Sequence, residues 1–222
     1  MSRSRVGVLI SGRGSNLQAL LDAAADPGYP AKIVLVLSNV AGVEGLARAE
    51  AAGVATAVVP HRDFAERPDF EAAVTERLEA AGCALVAQAG FMRVVTPGFV
   101  GHWRDRLINI HPSLLPAFPG LRTHERALAA GVKLHGCTVH YVRDEVDQGP
   151  IIGQAAVPVL PGDTADSLSA RVLAAEHRLY PRCLALVAGG RTRIVGERVE
   201  QDGGKHERGA DADAQLIVPG PV

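Results

Sequence analysis

The chain has 222 residues, 47% hydrophobic and 21% charged, enough apolar content for one large domain or two small ones with a buried core, so disorder is excluded as its overall state. With 23 Lys and Arg against 24 Asp and Glu, the net charge of -1 lacks the basic excess that nonspecific nucleic-acid binding needs. The three cysteines, Cys83, Cys137 and Cys183, are widely spaced and form no C-x-x-C pair, which argues against a disulfide framework or a zinc site and for thiols in a reducing cytosol.

The N-terminal apolar run, Val6 to Ile10, suits a buried strand and is too short for a signal peptide or a membrane span. A cytoplasmic protein with no membrane contact is expected. Ser11-Gly-Arg-Gly-Ser-Asn16 follows, then an apolar helix over about Leu17 to Ala25. Strand, glycine-rich turn and helix make the first unit of a mononucleotide-binding α/β fold. The turn is neither G-x-G-x-x-G nor a P-loop. Two readings stay open: an anion nest on Gly12 and Gly14 with Ser15 and Asn16 at the helix N-terminus, or a tight turn capped by Ser15 or Asn16.

Lys32 to Leu37, Val54 to Val59 and Ala84 to Ala89 read as further strands. Glu44 to Ala52 and Asp69 to Ala81 read as helices, closed by Gly53 and Gly82. A polar connector, His61 to Pro68, carries Arg62 and Arg67. After the fourth strand, Met92, Val94 and Val95 either face a flat aromatic ligand or plug the core. Thr96 caps a short helix with Pro97 in its first turn.

The fifth strand, Leu107 to Ile110, runs into Ile110-His-Pro-Ser-Leu-Leu-Pro116. Asn109 and His111 are two apart, so both point to one face if strand geometry persists. Ligands of open α/β sheets bind beyond the carboxyl ends of the strands. There an amide can hold an oxyanion and an imidazole can move a proton, although such a pair also serves as a loop anchor.

Thr123 to Ala130 reads as a helix. His135 to Val142 and Ile151 to Val159 alternate like a hairpin rather than further βαβ units. Their connector holds Asp144, Glu145 and Asp147, either as a solvated acidic turn or as a source of a carboxylate that makes His111 more basic. Gly162 to Asp166 is a capping signal for a long helix to about Val187, interrupted near Pro181. A weak strand over Arg193 to Val199 and a disordered tail from Gln201 complete the expectation. The fold class is α/β: a doubly wound, Rossmann-like, mostly parallel sheet with an antiparallel C-terminal strand pair. Residues 1–200 form a single domain, with a nucleotide-binding half to about 105 and a catalytic half from about 106.

Ser11-Gly-Arg-Gly-Ser-Asn16, Ala89-Gly-Phe-Met-Arg93, Asn109-Ile-His-Pro-Ser-Leu-Leu-Pro116, His124, His135-Gly-Cys-Thr-Val-His140, Asp147-Gln-Gly-Pro150 and Glu176-His-Arg-Leu-Tyr-Pro181 stand in one order. In that order and spacing the chain, over roughly residues 5 to 196, resembles the phosphoribosylglycinamide formyltransferases, folate-dependent transformylases of purine synthesis. The resemblance implies transfer of a formyl group from 10-formyltetrahydrofolate to the amine of glycinamide ribonucleotide. Asn109, His111 and Asp147 match the catalytic residues, with Asn109 and His111 stabilising a tetrahedral intermediate and Asp147 making His111 more basic. Gly14, Ser15 and Asn16 match the phosphate site, and Glu176 faces the ribose. The folate side matches Arg67, Met92, Arg93, Val94 and Val95, with Asn109, Arg143, Asp144 and Asp147. Ser113 and His140 stand behind the catalytic residues. No metal is implied, and the oligomeric state is open between monomer and homodimer.

Arg13 and Leu173 depart from what relatives carry, Leu173 in place of a polar residue one turn before Glu176. Neither touches the catalytic trio. A formyltetrahydrofolate hydrolase is the nearest rival, with water as acceptor; it usually carries an N-terminal regulatory domain, whereas the first strand here begins at Val6. A non-catalytic nucleotide-binding module needs only the glycine-rich turn and leaves Asn109, His111 and Asp147 unexplained.

Overall fold

The computed structural model describes residues 2–201 and the backbone of Ile217 and Val218. They form two units: the described residues up to Asn109 with Val142–Asp144, and Ile110–Tyr141 with the described residues from Glu145 on. The division lies after Asn109, and residues 142–144 return to the first unit.

In the first unit, strands β1 (Ser4–Ile10), β2 (Ala31–Ser38), β3 (Ala55–Val58), β4 (Leu85–Gln88) and the start of β5 (Leu107–His111) alternate with helices α1 (Ser15–Ala25), α2 (Glu44–Ala51), α3 (Arg67–Ala80) and α4 (Pro97–His102). The strands are parallel in the order β5-β4-β1-β2-β3. β1 is central, which is why Val6, Val8, Leu9 and Ile10 are all fully buried and read as an unbroken apolar run. On one side Phe70, Val74 and Leu78 of α3 pack with Phe99, Trp103 and the strand residues Leu9, Val86 and Leu107. Burying Phe70 and Trp103 alone removes several hundred Å² from water by the usual area of an aromatic side chain, ~150–250 Å² each. Thr96 caps α4 as expected, accepting from Phe99 N, and Pro97 stands in the first turn. The carboxylate of Glu71, 4% exposed, in turn accepts from Thr96 N and from the Thr96 hydroxyl.

In the second unit, α5 (Thr123–Ala129) precedes β6 (Leu134–Tyr141) and β7 (Ile151–Pro158), which pair antiparallel with a bulge at Val139/His140. This is the hairpin-like pair that alternation predicts. α6 (Ala165–Ala188) packs on both strands and buries Leu168, Val172, Leu179, Tyr180, Cys183 and Leu184. The expected break at Pro181 is absent: the helix runs 24 residues with the proline inside. A proline deletes one i→i−4 bond, and here buried residues flank it on both sides.

The expected strand over Arg193 to Val199 is two strands, β8 (Thr192–Val195) and β9 (Arg198–Gln201), folded back on each other around Gly196. Gly196 has φ +61, a value that turns the chain and cannot continue a strand. β10 (Ile217–Val218) pairs antiparallel with β7. The rest of the tail expected to be disordered lies outside the described residues. Among the described residues no helix is long and apolar enough to cross a membrane.

Candidate active site

In the first unit, the turn after β1 closes on Gly14, whose φ of +72 places it in the left-handed region at the head of α1. Gly14 thus holds the position that Ser15 or Asn16 was expected to cap, and no side chain caps the helix. A Cβ at Gly14 would stand 2.7 Å from Gly45 Cα, so α2 approaches the turn directly. Gly45 N donates to Gly12 O at 3.1 Å and Arg48 Nε to Arg13 O at 2.9 Å, bracing the turn from α2. The first turn of α1 carries no acidic residue. Its dipole therefore meets no opposing side-chain charge there, which suits an anion. Arg13 is exposed.

The loop after β4 presents Met92 at 69% and Val94 at 54% exposure, while Val95 packs on the core. The loop is therefore split: two apolar side chains face outward and one plugs. Ser11 holds its root, with the hydroxyl accepting from Met92 N at 2.8 Å and donating to Asn39 Oδ1 at 2.6 Å. Arg93 lies 5.4 Å from the Phe70 ring centroid. Arg67 opens α3 and is exposed. Arg143 is buried, and its guanidinium reaches Asp105 Oδ1 at 2.8 Å. Asp144 is exposed, and Asn109, half-buried on β5, stands in register with Gln88 of β4.

In the second unit, β5 persists to His111, as the pairing of Asn109 with His111 on one face requires. His111 is 7% exposed. Its Nδ1 lies 3.3 Å from Asp147 Oδ2, and its Nε2 lies 3.1 Å from the Phe118 carbonyl. Gly120 N donates to the same Asp147 Oδ2 at 2.8 Å. Asp147 has φ +59, so the connector turns sharply at the carboxylate. His140 Nε2 stands 3.8 Å from Asp147 Oδ1, beyond hydrogen-bond range, and its Nδ1 is engaged with Tyr141 O at 2.9 Å. Burial lowers the His140 pKa, against the Tyr141 carbonyl and Asp147. The Ser113 hydroxyl donates to Ala117 O at 2.7 Å and shapes the loop after His111. Glu176 is buried on α6, and Leu173 one turn earlier is half-buried.

Two further imidazoles stand in the same unit, in motifs to which the sequence attaches no chemistry. His135 Nε2 and His124 Nδ1 are 3.2 Å apart. Burial, then His124 and His111, push His135 down to about 4. Burial also lowers His124, against Glu125. Burial thus favours the neutral form of both. The backbone contacts of the Phe118–Gly120 turn to His111 and Asp147 have no sequence signature.

The formyl transferase family model matches residues 4–184. A trifunctional purine biosynthetic protein adenosine-3 of Drosophila pseudoobscura pseudoobscura is 54% identical over 197 residues, 88% of this chain and 14% of that protein. The chain spans only 14% to 19% of the length of such trifunctional relatives. The phosphoribosylglycinamide formyltransferase of Escherichia coli K12 is 42% identical over 212 residues, 96% of this chain and 95% of that one. Among solved structures, glycinamide ribonucleotide transformylase 1 from Symbiobacterium toebii superposes with a TM-score of 0.87 at 50% identity, covering 90% of this chain and 94% of the other.

Proposed function

The chain belongs to the formyl transferase family, and on that premise we propose that it transfers the formyl group of 10-formyltetrahydrofolate to the amine of glycinamide ribonucleotide, a step of purine synthesis. The observation that carries the reading is the His111–Asp147 pair, 3.3 Å apart, with both side chains less than a tenth exposed. A buried imidazole–carboxylate pair at the end of a strand is what acyl transfer uses to move protons.

The roles follow from the chemistry. Attack of the ribonucleotide amine on the formyl carbon forms the new C–N bond and drives the carbonyl electrons onto oxygen. Asn109 donates to that oxyanion, a contribution of about 3 kcal/mol in comparable sites. The attacking nitrogen then loses a proton and N10 gains one, by way of His111 or of a water on Asp147. The C–N10 bond breaks and tetrahydrofolate leaves. The α1 N-terminus at Gly14, Ser15 and Asn16 takes the phosphate, and Glu176 takes the ribose hydroxyls. Met92 and Val94 take the pterin, with Val95 plugging the core beneath them and Arg67, Arg93, Arg143 and Asp144 on the folate side. Met92 and Val94 support this by exposing apolar surface that a flat ring would cover.

The test is formyl transfer measured with the ribonucleotide present and absent, beside His111→Ala. Turnover only with the ribonucleotide, lost in the variant, is expected. Deformylation of the folate at a comparable rate without the ribonucleotide would replace the transferase with a hydrolase. Ligand binding unchanged by His111→Ala, with no turnover in either protein, would leave a binding module.

A further inference from the structure

The turn Phe118–Gly120 touches both members of the buried pair through its backbone alone. The Phe118 carbonyl accepts from His111 Nε2 at 3.1 Å, and Gly120 N–H donates to Asp147 Oδ2 at 2.8 Å. That oxygen is also the one facing His111 Nδ1 at 3.3 Å. Turn, imidazole and carboxylate thus close a ring of contacts.

The turn is held in an uncommon shape. Phe118 has φ +54, an outlier for a bulky side chain, and Gly120 has φ +76. A Cβ at Gly120 would meet nothing within 4 Å, so glycine stands there for its conformation and not for space. The Phe118 ring stands edge-on to His135, centroids 6.0 Å apart, and the Arg126 guanidinium lies 5.7 Å from it. Arg126 Nη1 also donates to the Pro119 carbonyl at 2.5 Å. Backbone strain persists where surrounding structure over-determines it, and such places cluster at working sites.

We infer that Phe118–Gly120 is a positioning turn for the His111–Asp147 pair: its left-handed backbone aims one carbonyl at the imidazole and one N–H at the carboxylate. A carbonyl can only accept, so Nε2 carries a proton there. That leaves Nδ1 as the nitrogen that faces Asp147 Oδ2. In a neutral imidazole the bond made by one nitrogen fixes the state of the other. The inference rests on the proposed transfer only for its kinetic consequence. The hydrogen bond itself exists without substrate.

Two substitutions at Phe118 separate backbone geometry from ring packing. Asparagine tolerates the left-handed region and lacks the ring, whereas valine keeps apolar bulk and is strongly disfavoured there. Phe118→Asn should keep kcat within about threefold of the parent, while Phe118→Val should lose about tenfold or more with KM changed little, as misplacement of reacting groups does. The second readout is the His111 ring N–H proton in the NMR spectrum of substrate-free protein, assigned by its loss in His111→Ala. It should persist in Phe118→Asn and vanish in Phe118→Val. Equal losses in both variants, a greater loss in Phe118→Asn, or no loss in either would overturn the inference. If the parent transfers no formyl group, the proposed reaction falls, and the N–H signal alone decides: insensitivity to Phe118→Val overturns the turn's role.

Discussion

At the scale of single residues, position on a strand end decides what a side chain can do. Asn109 and His111 are separated by one residue of β5, and the strand runs through both. An amide has no charge to titrate, so its proposed contribution is a hydrogen bond that strengthens as the oxyanion forms. Asn109→Ala should therefore lower kcat by about 10²–10³-fold with a smaller change in KM. A rise in KM with kcat intact, in steady-state assays of both substrates, would move Asn109 from the chemistry to binding. Asp147 illustrates the opposite situation. Its sequence neighbourhood, with Asp144 and Glu145, reads as a solvated acidic turn, and only its low exposure and its contacts with His111 and Gly120 N set it apart.

At the scale of elements, caps and turns carry much of the organisation. Thr164 and Ser167 form a reciprocal capping box at the start of α6, Thr164 Oγ1 accepting from Ser167 N at 3.2 Å and Ser167 Oγ from Thr164 N at 3.0 Å. The Asp163 carboxylate adds a two-pronged contact to Arg171 at 2.8 and 2.9 Å, whose hydrogen bonds, with those from Leu160 N and Ser167, hold it well below the usual carboxylate range. Thr164→Ala should cost about 1 kcal/mol of stability, read as a lower denaturation midpoint. No change would place the stability of α6 wholly in its packing. Pro181 shows that packing outweighing a local rule. Its neighbours Leu179, Tyr180 and Cys183 are fully buried, and the helix passes through. The opposite error, one strand expected where β8 and β9 fold back, arose because Gly196-Glu197 is a two-residue turn inside a short apolar alternation.

At the scale of the whole molecule, the buried histidines set how stability depends on pH. His135 titrates at about 4 in the folded chain against 6.5 for a free imidazole, and burial lowers His124 and His140 in the same direction. As pH falls through that window the unfolded chain takes up protons that the folded chain refuses. Stability from these groups is complete above about 6.5 and is lost progressively toward about 4. Urea-denaturation midpoints should fall between about pH 7 and about pH 5, and a flat or rising midpoint would show that other groups dominate.

Much of this molecule is decided locally. Apolar runs bounded by glycine and proline marked the strands of the parallel sheet, alternation marked β6 and β7, and the Thr96-Pro97 and Thr164 signals marked helix starts. Each depends on burial periodicity or on the conformational range of a few neighbouring residues. The continuation of β5 through Asn109 to His111 also needed only the local strand pattern. The carboxylate beside His111 did not follow from such rules, nor did the backbone groups of Phe118 and Gly120, nor the His124–His135 contact. These come from separate stretches, and their meeting depends on register, on left-handed turns at Phe118, Gly120 and Asp147, and on packing summed over the second unit. A pattern in sequence reports which face is buried. Which distant group lies 3 Å away is a property of the assembled backbone, and there the tertiary structure alone decided.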